Sequence, residues 1–180
     1  MLRIVTALGT MVLLYTFVGS GFVAADPPAK QRETAPSEAA LKRTRKMVNM
    51  LDEIYKTAIV LITDKYVNDD DDFPAGSAFV ALFKSMDQKG YHKVRLIDLT
   101  GEPFEEANVA EDEFEKEGGK QLKSGKAYVE KIVYKKGKPY LRAMTPVPVV
   151  MQKCVMCHPH YADVKKGVPI GAMTYTVPID

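Results

Sequence analysis

The chain has 180 residues, with 25 basic residues against 23 acidic ones and a formal net charge of +2. So even a balance gives no reason to invoke nucleic acid or a strong membrane field, and the length suits one ordinary domain with one sizeable core. There are only two cysteines, which in an exported chain would ordinarily mean one disulfide.

The N-terminus reads MLRIVTALGTMVLLYTFVGSGFVAADPP. Arg3 precedes an apolar run from Ile4 to Val18, and small residues end at Val23-Ala24-Ala25 before Asp26. This is the pattern of a secretory signal peptide over residues 1–25. The run falls short of the ~20 apolar residues a spanning helix needs. The expectation is a periplasmic protein with no stable membrane span after cleavage. Residues 26–36, DPPAKQRETAP, are a polar linker with nothing to pack, and residues 37–180 form the domain.

Ser37 is placed as a helix N-cap, with Glu38 in the first turn. Neither Gly nor Pro occurs from there to Val67, which predicts a helix over 37–67. Leu41, Thr44, Val48, Leu51, Tyr55, Ala58 and Ile62 step by fours and threes like a heptad seam. Met47, Met50, Ile54 and Leu61 lie to one side. The pattern serves a monomer core or a homo-oligomer through helix 37–67 equally well.

NDDDDFP ends that helix; Asp69 to Asp72 make a solvated acidic turn or, less in keeping with their spacing, calcium ligands. A second helix runs from Pro74 and is closed by Gly90. YHKVRLIDLTG predicts a strand with Val94, Leu96 and Asp98 on one face and Lys93, Arg95 and Ile97 on the other. EDEFEKEGGKQLKSG predicts a short helical piece broken near Gly118-Gly119. AYVEKIVY and PYLRAMTPVPVV flank Lys136-Gly137 and predict a hairpin. The chain finishes on VPIGAMTYTVPI, a last strand.

Between hairpin and last strand stands CVMCHPHY, Cys154 to Tyr161. Cys-x-x-Cys-His is the attachment pattern for c-type haem. Two thiols at this spacing add to the two vinyl groups on one porphyrin edge, and the adjacent imidazole of His158 reaches the iron. The expected cofactor is one covalent haem c. A thioredoxin-like pair would want a βαβ unit, which the pattern lacks. A zinc site would crowd four ligands, Cys154, Cys157, His158 and His160, into seven residues.

The element order predicts an α+β fold: an antiparallel sheet with helices on one side, a long N-terminal helix, and a CxxCH loop before the last strand. The segments LDEIYKTAIVLI, KGYHKVRLIDLTGEP, DEFEK, TPVPVVMQKCVMCH and IGAMTYTVPI, in that order, resemble the PAS-like periplasmic c-type haem domain family. Members stand alone or act as the sensor module of chemoreceptors and kinases. The resemblance implies a PAS-like sheet holding one covalent haem, with any sixth ligand drawn from the N-terminal helix. Several members use a distal cysteine, which this chain lacks.

The remaining donors are Met47 and Met50 on the long helix, His92, and the methionines Met144, Met151, Met156 and Met173. His160 follows the proximal His158 too closely to reach the opposite face, and Tyr55 suits packing better than ligation. Arg142 and Lys153 are charge-assisted donors for haem propionates. No acid–base pair, nucleophile triad or phosphate loop suggests an enzyme. The expected function is binding or sensing of a diatomic such as NO or CO, with redox activity. The rival is an electron-transfer cytochrome, working with a redox partner protein, with Met47, Met50 or His92 as sixth ligand.

Overall fold

A computed structural model describes residues 34–69 and 74–180. The leader, most of the linker and Asp70–Asp72 of the acidic turn lie outside the described residues.

Helix α1 spans Glu38–Tyr66. The Ser37 hydroxyl accepts from the Ala40 N–H at 3.2 Å, satisfying one of the helix's unpaired first-turn donors. Leu41, Thr44, Val48 and Tyr55 are buried, and Leu51, Ala58 and Ile62 pack against the same core. The heptad-like seam is therefore used by the chain's own sheet. The offset set stays outside: Met47, Met50, Ile54 and Leu61 are 45–54% exposed. Self-association through this helix would have to use that second set.

Helix α2 spans Ala75–Gln88, preceded by Pro74 at φ −62° and ended by Gly90 in the left-handed region. Its Phe79 and Phe83 meet Tyr55 edge-on, with centroids 6.3 and 5.1 Å apart.

Strands β1 (Lys93–Asp98), β2 (Val129–Lys135), β3 (Lys138–Val147) and β4 (Gly171–Pro178) form one antiparallel sheet in the order β1-β4-β3-β2. The β2–β3 turn holds Lys136 at φ 52° and Gly137 at φ 76°. Two consecutive left-handed residues match the twist of the flanking strands. The last strand thus lies in the middle of the sheet, which puts the segment just before it beside the core.

The sheet is covered on both faces, not one. Leu141, Ala143, Met173, Tyr175 and Val177 face α1 and α2. On the other side Ile97, Met144 and Ala172 pack with Leu122 of helix α3, Glu113–Lys123. Ile97, expected among polar neighbours, is 2% exposed beneath that helix. Nor is α3 broken at Gly118-Gly119: it runs through them. A Cβ at Gly118 would overlap the Met144 sulfur, and one at Gly119 would lie 2.7 Å from Leu99 Cδ2. The glycines are there for close helix–sheet approach, which outweighs their poor helix propensity.

Charges also sit under α3. Glu115, 2% exposed, accepts from Arg95 Nη1 at 2.6 Å, the Glu111 N–H at 2.9 Å, the Thr174 hydroxyl at 3.1 Å and Arg142 Nη2 at 3.4 Å.

Candidate functional site

The segment between β3 and β4 builds the site. Pro148 follows β3, and helix α4 then spans Gln152–Cys157, less than two turns. Cys154 and Cys157 are three residues apart on that helix and so share a face. His158 leaves the helix at φ −130°, ψ 74°, while its N–H still donates to the Cys154 carbonyl at 3.2 Å. Pro159 opens a 3₁₀ turn, Pro159–Asp163, that leads the chain back toward β4.

Aromatic contacts orient the His158 ring. Tyr161 stacks on it at 4.6 Å and 23°, and Phe104 meets it edge-on at 5.3 Å. Burial, and next the positive potential of His160, push the His158 imidazole below the ordinary histidine range; Asp98 opposes this more weakly. The ring is thereby kept neutral, with a lone pair to give. Burial raises the Tyr161 phenol to about 12.

Cys154, Cys157, His158 and Tyr161 line one cavity of about 260 Å³. Ile59 and Val60 of α1, Leu96 of β1, Val147, Ile170 and Met173 form its other walls. The cavity therefore lies between α1 and the sheet, on the α1–α2 face. His158 and Tyr161 also border a second cavity of about 180 Å³, which reaches Asp98 and Phe104.

Two lysines touch the larger cavity, and both are fully engaged. Lys56 Nζ donates to Asp52 at 3.0 Å, to the Thr145 hydroxyl at 3.0 Å and to the Pro146 carbonyl at 2.8 Å. Lys153 Nζ donates to the carbonyls of Val67 at 2.6 Å, Asp64 at 2.8 Å and Thr63 at 3.5 Å. It thus caps the C-terminal end of α1, where cations are favoured. Three donors meet three acceptors in each case, so neither ammonium has an N–H left for the cavity.

The donor set suits haem c. Two thiols three residues apart and a desolvated imidazole directly after them face one apolar cavity. A zinc site fits less well: no group of three or more His, Cys, Asp or Glu side chains converges among the described residues.

The other sequence candidates are scattered. Met47 and Met50 are exposed on the outer side of α1, and neither lines the cavity. Met144 lies on the opposite face of the sheet, under α3. Arg142 is on that face too, paired with Asp112 and Glu115. It has no access to the cavity, so the sheet separates it from any propionate held there. Met156, though between the two cysteines, is not on the cavity wall, whereas Met151 and Met173 are.

His92 is also away from the cavity. It is buried, and its Nε2 lies 2.7 Å from the Tyr55 hydroxyl. Burial lowers its pKa below the ordinary value, opposed more weakly by Asp87. As pH falls below ~6.5, the unfolded chain takes up the proton before the folded one. Stability is then expected to fall until the folded-state pKa is passed. Urea midpoints between neutral and mildly acidic pH check this, with His92→Gln flattening the profile.

Sequence reasoning missed Asp52, Lys56, Thr145 and Tyr175. Asp52 also accepts from the Thr145 hydroxyl at 2.6 Å and the Tyr175 hydroxyl at 2.9 Å. The available signal was the Asp52–Lys56 pair at i,i+4 beside an apolar seam.

The chain matches the Tll0287-like family over residues 30–175, from before α1 into β4. No curated protein matches it.

Proposed function

We propose, for a chain that belongs to the Tll0287-like family, that residues 37–180 are an exported monohaem c-type cytochrome domain that binds a small neutral diatomic and exchanges electrons. The family is one of c-type cytochrome-like periplasmic domains, which supports the reading of Cys154-x-x-Cys157-His158. Cys154 and Cys157 would hold the porphyrin through thioethers, and His158 would ligate the iron. Bound there, haem c would supply a redox-active iron able to exchange electrons or to bind a small ligand.

The observation that carries the proposal is that both thiols and the His158 imidazole line one apolar cavity. Its walls favour an uncharged ligand such as NO or CO, because an anion would be buried among apolar side chains without a partner. The saturated Lys56 and Lys153 leave no N–H to offset that cost. Tyr161 and Phe104 keep the imidazole oriented.

Addition of CO to the reduced, haem-loaded protein should shift its visible spectrum to that of a CO adduct. A low-spin spectrum unchanged by saturating CO would favour the electron-transfer reading instead. That rival is favoured by the two methionines, Met151 and Met173, among the residues that line the cavity.

A further inference from the structure

We infer that the α3 side of the sheet carries a second binding site, for a small organic monocarboxylate. It lies across the sheet from the cavity that holds Cys154, Cys157 and His158, and it stands independently of the haem reading.

Strand register builds the site. Lys93 of β1 is directly opposite Thr176 of β4, and Thr176 is directly opposite Arg142 of β3. Directly opposed residues share a face, with Cβ atoms ~4.5–5.5 Å apart. The three therefore form one row: cation, hydroxyl, cation. All three line a cavity of about 260 Å³, with Arg95 of β1 and Lys135 of β2. Glu111, Asp112 and Glu115 complete its charged wall.

The carboxylates of that wall are engaged, but many of its donors are not. Glu115 pairs with both Arg95 and Arg142, Glu111 with Arg95, and Asp112 with Arg142. Four cations against three carboxylates leave one positive charge in excess. Among the described residues Lys93 has no hydrogen bond or ion pair, and Lys135 has only the Tyr140 ring, 5.3 Å from its Nζ. Two of the five Arg142 N–H groups meet a side-chain acceptor, one at 3.4 Å.

Thr176 is the sharpest observation. It is 8% exposed, and among the described residues its hydroxyl has no hydrogen bond. A buried hydroxyl without a partner is costly. Its neighbour Thr174 donates to Glu115 at 3.1 Å. Nor is the Thr176 hydroxyl sealed off: among the described residues, the unpaired side-chain polar atom closed to solvent is Tyr128 Oη. The Thr176 hydroxyl therefore opens onto the cavity its residue lines.

The site lacks acceptors and one negative charge, and a carboxylate supplies both. Its two oxygens can take the Thr176 hydroxyl and a flanking cation together, as charge-assisted bonds. A phosphate dianion would reverse the net charge beside carboxylates already present. A neutral amide would bring donors to a wall that already has too many. The cavity is smaller than the ~300–1,000 Å³ of drug-sized sites, which suits a short acid.

The test is calorimetric titration of the full exported chain with acetate, lactate and benzoate, above neutral pH and at low, matched ionic strength. At least one should bind with a dissociation constant of ~1 mM or tighter, while its neutral amide should not. Lys93→Gln should weaken that binding about tenfold or more, because it removes a charged partner. Thr176→Val should weaken it roughly two- to tenfold and leave the urea midpoint unchanged, since the lost hydroxyl has no partner in the free chain. Lys131 is opposite Arg142 on β2 but off the cavity wall. Lys131→Gln should leave the affinity within about twofold, as screened surface charges do. The proposal is overturned if none of the three acids binds, if the amides bind equally well, or if inorganic phosphate binds more tightly than all three. It is overturned too if Lys93→Gln or Thr176→Val leaves the affinity unchanged, or if Lys131→Gln weakens binding as much as Lys93→Gln does.

Discussion

His158→Ala is expected to yield a chain that still carries its porphyrin but has lost the iron's strong protein ligand. The proposed thioethers would depend on Cys154 and Cys157, which remain on α4. The imidazole lies outside that helix, and the helix does not need it, because the bond to the Cys154 carbonyl comes from the residue 158 backbone N–H. What disappears is the neutral nitrogen held by Tyr161 and Phe104. The spectrum should change spin state, and added imidazole should restore much of it by filling the vacated space. An unchanged axial spectrum in this variant would mean that another residue holds the iron. His160 would then be the first to test, since its ring lies 6.1 Å from that of His158.

Glu115→Ala should be the most damaging substitution away from the cavity. The carboxylate is 2% exposed, and the side chains of Arg95 and Arg142 beside it are only 13% and 14% exposed. Removing it leaves two guanidinium groups close together and under-paired beneath α3. Breaking one side of a buried ion pair costs ~3–5 kcal/mol. For a chain of this size that is a fall in Tm of roughly 6–20 °C. Asp112 and Glu111 are too exposed to take over the full role, with side chains 49% and 60% exposed. A loss under ~1 kcal/mol in a urea melt would show that these rim carboxylates suffice.

Local rules made much of the fold legible. Ser37 as N-cap, Gly90 as stop and Lys136-Gly137 as hairpin turn are short-range signals, and each stands where the sequence puts it. The α+β class follows from the same pattern. What the sequence hid was long-range. Gly118-Gly119 looks like a helix break until Met144 and Leu99 are seen pressing against it. Ile97 looks misplaced on a polar face until α3 covers that face. The alternation in β1 shows that the strand has two faces, not that both are buried.

The site was legible in the same uneven way. The spacing of Cys154, Cys157 and His158 stands out because the proposed haem attachment would demand it locally. Met47, Met50 and His92 were nominated by residue type and by analogy with relatives that ligate from the N-terminal helix. The structure puts the methionines on the outer side of α1 and His92 against Tyr55. The side of α1 that meets the cavity carries Lys56, Ile59 and Val60, with Thr63 one turn further on. No periodicity tells which of two apolar sides of one helix will meet a cavity formed by residues ninety positions later.

The central claim is covalent haem c at Cys154 and Cys157, and intact mass measurement of the exported chain, made in a host that attaches c-type haem, tests it most directly. The predicted result is the polypeptide mass plus one haem, resistant to acid–organic extraction and reduced to the bare polypeptide mass in the Cys154→Ser, Cys157→Ser double variant. A wild-type chain at the bare polypeptide mass, with its cysteines free or joined to each other, would contradict it.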